Sequence, residues 1–190
     1  MQIKIIGAGL AGCEAALWLA DHGVQVDLYE QKPAHFSPAH KSAGFAELIC
    51  SNSLKAERPD SASGLLKIEM RMMGSHLLDA AETARVAAGG ALAVDRDVFS
   101  TAVTEMVENH PNITVRREEV TALDESAPVL VASGPLTEGA LAQAVAALTG
   151  DDGSGEEIRF ANGRVLPHIG LFYERELERL PRLARAHYFA

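Results

Sequence analysis

Three glycines and one acid are the residues of this chain best suited by type and spacing to do chemistry. Gly7, Gly9 and Gly12 stand in the run Gly7-Ala8-Gly9-Leu10-Ala11-Gly12, and Glu30 follows 23 residues after Gly7. A lone G-x-G-x-x-G is weak evidence, but this one follows a β-rich stretch, opens an Ala- and Leu-rich stretch, and precedes an acid. In that setting the first glycine makes a tight turn, the second lets the backbone approach a pyrophosphate, and the third lets the helix pack closely on the sheet. Free N–H groups and the partial positive charge of the helix N-terminus then face the phosphates. An acid at position 30 would hold a ribose hydroxyl and repel a 2′-phosphate, so FAD or NAD fits better than NADP. The cofactor-binding residues expected on this ground are Gly7, Ala8, Gly9, Leu10, Ala11, Gly12 and Glu30.

The chain holds two cysteines, Cys13 and Cys50, without metal-ligand spacing or the density of a disulfide framework. No metal site is expected. Cys13 falls on the first helix and reads as packing. Cys50 precedes Ser51-Asn52-Ser53, and two readings stay open. It could lie at a helix N-terminus, where a thiol is acidified and becomes nucleophilic, or it could be a buried apolar cysteine. His35 and His40 are candidates for substrate or phosphate contacts, with solvated loop histidines as the plainer reading. Arg96 could reach a flavin phosphate or a capping partner.

The elements that must position these residues follow from periodicity and punctuation. Residues 2–6 and 24–29 alternate as strands, and residues 13–20 form a helix closed by Gly23, which together make a βαβ unit. Residues 31–44 read as a loop. One long helix is expected from about Ser63 to Arg85, with Leu66, Met70, Met73 and Leu77 on a core-facing stripe rather than in a cofactor box. Residues 92–94 suggest a short strand, and Asp95 caps a helix carrying Phe99, Val103 and Val107 that His110-Pro111-Asn112 stops. Residues 113–116 and 119–123 are strand-like, residues 128–135 read as a buried strand running into a turn, and residues 137–148 as a helix. The segment 129–134 is similar to the second dinucleotide motif of two-domain flavoproteins, with Ser133 and Gly134 at its end and Val120 placed to present backbone to an adenine. Both features favour FAD over NAD.

The fold class expected is therefore α/β, a Rossmann-like FAD/NAD(P)-binding domain with a parallel sheet over residues 1–150. An acidic linker at 151–157 follows, and then a tail, 158–190, with one possible helix at 171–180. With 190 residues, 47% of them apolar, the chain can bury a sizeable core. No apolar run approaches the roughly 20 residues of a membrane span, and the start lacks a signal-peptide pattern, so a cytoplasmic location is expected. A net charge of -9 argues against generic phosphate-backbone binding.

The glycine run, Pro38-Ala39-His40, the segment from Phe45 to Leu54, the segment Gly89 to Arg96 and Gly134-Pro135-Leu136-Thr137 together closely resemble the folate- and FAD-dependent tRNA (uracil-C5) methyltransferases, the TrmFO family. The resemblance covers about residues 1–150 and implies 5-methyluridine formation in the tRNA T-loop. It further implies carbon from 5,10-methylenetetrahydrofolate, electrons from NAD(P)H through FAD, and a catalytic role for Cys50. Family members continue for several hundred residues with a tRNA-binding domain and a second catalytic cysteine, so the chain reads as the N-terminal part of such an enzyme. A stand-alone nucleotide-binding module and a different FAD-dependent oxidoreductase are the alternatives.

Overall fold

The structure is a computed structural model and describes residues 2–124 and 127–149, with two short strands at 158–159 and 165–166. The expected linker and the possible helix at 171–180 lie outside the described residues. The chain divides into two units, one of residues 1–120 and 124–133, the other of residues 121–123 and 134–190.

The first unit is organised by a four-stranded parallel sheet. Strands β1 (Gln2–Ile6) and β2 (Gln25–Tyr29) flank helix α1 (Leu10–Asp21), and Gly23 in the left-handed region at φ +77° turns the chain between α1 and β2. A second, antiparallel sheet contributes β3 (Ser53–Ala56), and helices α2 (Ala62–Met72) and α3 (His76–Thr83) follow. Then come β4 (Arg85–Val86), β5 (Ala91–Val94), helix α4 (Arg96–Glu108), β6 (Ile113–Arg116) and β7 (Val129–Val131). The parallel sheet runs β6-β2-β1-β7 and the antiparallel one β3-β5-β4. The core forms where Ile5, Val26 and Leu28 of the parallel strands meet Cys13 and Leu17 of α1 and Phe99, Val103 and Val107 of α4. The second unit contains helix α5 (Gly139–Thr149) and a two-stranded antiparallel pair, β8 (Ile158–Arg159) with β9 (Val165–Leu166).

Several expectations are corrected. The long helix is two helices, because Gly74 adopts φ +76° and Ser75 starts α3 by accepting the Leu78 N–H. Glu14 reinforces the break, since its carboxylate accepts from Ser75 Oγ (2.8 Å) and from the N–H groups of His76 and Leu77 (both 3.0 Å). The expected core-facing stripe is split: Met70 packs against the core and Leu77 is buried in it, whereas Leu66 and Met73 are exposed and the buried residues of α2 are Gly64 and Lys67. The physical reason is contact with the preceding chain, where a Cβ on Gly64 would lie 1.9 Å from Arg58 O, while Lys67 Nζ donates to Ala56 O and Ser63 O (3.1 Å each). Residues 119–123 form no strand. Strand β7 is not buried, because it is the outer strand of its sheet, with Leu130 and Val131 exposed.

Candidate functional site: the carboxyl edge of the parallel sheet

Chain order reverses at β1, which lies between β2 and β7, and a crevice at the carboxyl ends of strands is where open α/β sheets bind ligands. The turn after β1 and the turn after β7 meet there. Gly7 has φ +102°, which only glycine adopts without strain, and a Cβ on it would lie 2.6 Å from Ala132 O and 2.7 Å from Ser133 Cα. A Cβ on Gly12 would lie 1.8 Å from Gly7 O, so α1 starts directly against the turn. Gly9 is different, with nothing within 4 Å of the place its Cβ would take. Two glycines are therefore required by protein packing and one leaves open space.

The start of α1 faces that space without a side-chain cap, whereas Ser61, Ser75 and Asp95 cap α2, α3 and α4. No acid occupies the first turn of α1, so its N–H groups and dipole are available to an anion. Glu30, only 8% exposed, reaches back to the turn: Oε2 accepts the Ala8 N–H and Oε1 the Lys32 N–H, each at 3.0 Å. Each carboxylate oxygen retains a lone pair for a further donor. Leu10 and Ala11 lie at the exposed start of the helix, and Ala8 is buried under the turn.

Cys50 is exposed and lies in a bend before β3, not at a helix N-terminus, which corrects both readings of it, because Ser53 onward pairs with β5 instead of starting a helix. Cys13 is fully buried, its thiol donates to Ala8 O (3.3 Å), and burial pushes it up to about 12. Arg96 is exposed as the first residue of α4, where Asp95 rather than Arg96 makes the cap by accepting the N–H groups of Asp97 and Val98. Val120 is half-buried in a loop, and Ser133 ends the first unit beside Gly7. Gly134 begins a stretch of the second unit, with φ +83° and its carbonyl accepting the Thr137 hydroxyl (2.7 Å). His35 Nδ1 lies 3.3 Å from Glu119 and His40 Nδ1 lies 2.6 Å from Ser37 Oγ. Among the described residues no group of three or more His, Cys, Asp or Glu side chains could hold a metal ion, and no helix is long and apolar enough to cross a membrane.

Sequence reasoning missed Lys32, Glu47 and Arg117. Lys32 is 4% exposed and donates from Nζ to Gly44 O at 2.7 Å. Arg117 stacks 4.1 Å above the Phe45 ring and donates to Ala43 O at 2.8 Å. Nothing in their spacing announces these contacts, although a lysine so soon after the strand-ending acid is a visible signal.

Sheet order, crossover helix and glycine turn define the class as a Rossmann-like α/β domain. Residues 2–160 match the family described as glucose inhibited division protein A, and the chain belongs to that family. It is 55% identical over 149 residues to the methylenetetrahydrofolate–tRNA-(uracil-5-)-methyltransferase TrmFO of Geobacter sulfurreducens, covering 78% of this chain and 34% of that protein. To the protein of the same name from Heliobacterium modesticaldum it is 52% identical over 152 residues, covering 80% and 35% respectively. The chain thus spans about a third of the length of these relatives. Among solved structures, the GidA-related protein from Thermus thermophilus aligns with a TM-score of 0.40 and 20% identity over 70% of this chain and 53% of that one.

Proposed function

We propose that this chain is the FAD-binding portion of a 5,10-methylenetetrahydrofolate-dependent tRNA (uracil-5-)-methyltransferase that forms 5-methyluridine in the T-loop, with NAD(P)H as reductant. The observation that carries the reading is the open approach at Gly9, bounded by the uncapped start of α1 and by Glu30. The names of relatives more than 50% identical supply the reaction.

In this reading the N–H groups of Leu10 and Ala11 and the dipole of α1 take the pyrophosphate, and Glu30 takes a ribose hydroxyl through its remaining lone pairs. Gly7, Ala8 and Gly12 shape the turn. Backbone at Val120 serves the adenine, Arg96 a flavin phosphate, and Ser133 and Gly134 are assigned from their motif. When bound, FAD supplies the redox chemistry that links NAD(P)H to the one-carbon unit of the folate. Cys50 is the nucleophile of this portion. Its thiolate adds to C6 of the uracil, which moves the ring electron pair toward C5 and makes that carbon nucleophilic. Once C5 has gained its carbon and lost its proton, expulsion of the thiolate restores the ring. An exposed thiol can meet a base in this way.

The test is made on the purified chain. A yellow protein with a bound-flavin spectrum, or a saturable FAD titration, is expected, and a chain that takes up no FAD overturns the reading. Folate-dependent methylation of a T-loop transcript, lost in Cys50→Ser while flavin is retained, identifies the reaction.

A further inference from the structure

The roles assigned above leave one buried pair unused. Lys32 Nζ, besides its bond to Gly44 O, faces Glu47 Oε2 at 3.6 Å. That oxygen is buried and accepts no hydrogen bond, while Glu47 Oε1 accepts the N–H groups of Lys41 (2.9 Å) and Ser42 (3.2 Å). Glu47 thereby closes the chain from 41 to 47 on itself, and Lys32 fills its floor. The main chain of Lys32 serves the other side, donating to Glu30, whose second oxygen holds Ala8. Ala8 in turn accepts the Ala46 N–H at 2.9 Å. Ala46 is fully buried at φ +48°, a conformation that a non-glycine residue keeps only when its surroundings enforce it. The chain leading to Cys50 is thus tied to the phosphate loop directly, through Ala46 and Ala8, and to the ribose acid through Lys32, which reaches Gly44 and Glu47. A buried ion pair without a direct hydrogen bond is a poor source of stability, and its geometry here is that of a strut.

Resting on the reading that the glycine turn binds a dinucleotide and that Cys50 is the reactive thiol, we propose that Lys32 and Glu47 are positioning residues that couple occupancy of the dinucleotide site to the reactivity of Cys50. A ribose hydroxyl taken up by Glu30 shares the carboxylate with the Ala8 and Lys32 N–H groups. Any adjustment of the Lys32 main chain carries its side chain, and with it Gly44 and Glu47. The two functions of Lys32 are separable, since Lys32→Met removes Nζ and leaves the N–H on Glu30.

Maleimide alkylation of Cys50 in the full chain, with and without saturating ADP, reads the coupling. ADP fills the phosphate and ribose positions and has no flavin ring to cover a thiol. Cys13, buried and held up to about 12, does not compete. FAD affinity is titrated in parallel. In the parent chain ADP is expected to change the alkylation rate about fivefold. Lys32→Met and Glu47→Gln should bind FAD within about threefold of the parent yet lose the ADP effect, and Lys32→Arg, which keeps a cationic donor, should restore it. A parent chain that binds FAD but whose alkylation ignores ADP overturns the coupling alone, as does a Lys32→Met chain that keeps the effect. A parent chain that binds no FAD overturns the site reading together with the coupling. Should Lys32→Met fail to fold, Glu47→Gln decides, because its amide oxygen still serves Lys41 and Ser42.

Discussion

The phosphate loop and the Cys50 segment belong to one unit and touch through Ala8 and Ala46, yet they are built in opposite ways. The loop is made mostly by neighbours in sequence, with strand, turn, helix and strand completed by Tyr29 and the acid next to it, and only the turn after β7, at Ala132 and Ser133, packs on Gly7 from far along the chain. The Cys50 segment has no helix or strand of its own between Tyr29 and Ser53, and distant side chains impose its shape. Thr104 Oγ1 accepts the Phe45 N–H at 2.9 Å, Ser100 Oγ donates to Phe45 O at 2.6 Å, and Arg117 lies over the Phe45 ring. One region is dictated by spacing along the chain, the other by what α4 and residue 117 bring to it. Local construction leaves no room for change at particular positions. Remote construction spreads the dependence over residues far away in sequence.

The sharpest break of this contrast is at Gly12. Alanine there places a Cβ 1.8 Å from Gly7 O, and since the obstacle is backbone, α1 must move off the turn. Gly12→Ala should cost about 3 kcal/mol or more in urea unfolding and abolish FAD binding. Gly9→Ala meets nothing within 4 Å, so its stability loss should stay near 1 kcal/mol, while FAD affinity falls about tenfold or more because the methyl takes the phosphate approach. Equal stability losses in the two variants would refute the division of labour among the glycines.

Next in size is Glu30. Glu30→Ala leaves two main-chain donors, Ala8 and Lys32 N–H, without their acceptor, at a cost of about 2 kcal/mol. The corresponding change in the other region is Thr104→Val, which removes the acceptor of the Phe45 N–H and should cost about 1 to 2 kcal/mol. The sharpening observation is ligand affinity. Glu30→Ala should weaken FAD binding, and Thr104→Val should leave it within about threefold while altering the alkylation rate of Cys50. If both variants shift FAD affinity equally, the two regions are a single cooperative block.

That contrast also explains what can be read from the chain alone. β1, α1, β2, the Asp95 cap and the buried Phe99, Val103 and Val107 are legible because each depends on local periodicity or on one capping residue. The break at Gly74 is not, because the apolar spacing runs through it and because its partner, Glu14, lies some 60 residues earlier. The exposed face of α2 escapes sequence reasoning for a related reason. Periodicity finds the apolar face, but the packing of Arg58 O against Gly64, 1.9 Å from where a Cβ would stand, decides which face packs. The setting of Cys50 is ambiguous in sequence because Ser51-Asn52-Ser53 suits a helix start as well as it suits the entry to a strand, and pairing of Ser53 with Ala93 settles the matter from a distance.

Acid should separate the two regions with the smallest effect of all. Glu57, just past β3, sits between Arg85 and Arg71, with Arg85 Nη1 at 2.7 Å and Arg71 Nη2 at 3.1 Å. Hydrogen bonding to Arg85, opposed by burial and then reinforced by hydrogen bonding to Arg71, holds its carboxyl at about 2, below the ordinary 4.5. A lowered folded-state value means that this contribution is complete above about pH 4.5 and fades as pH falls toward 2. Because the guanidinium of Arg85 is well exposed to solvent, the contribution amounts to about 1 kcal/mol. Urea midpoints measured from pH 6 downward should therefore decline below pH 4.5, and Glu57→Gln should make that decline shallower while lowering stability at pH 6. Since Glu57 anchors α2 and β4 next to the strand that follows Cys50, alkylation of Cys50 should respond to Glu57→Gln before FAD affinity does. A variant that loses FAD affinity first would show that the ion network supports the glycine turn, and that the locally built region leans on remote contacts after all.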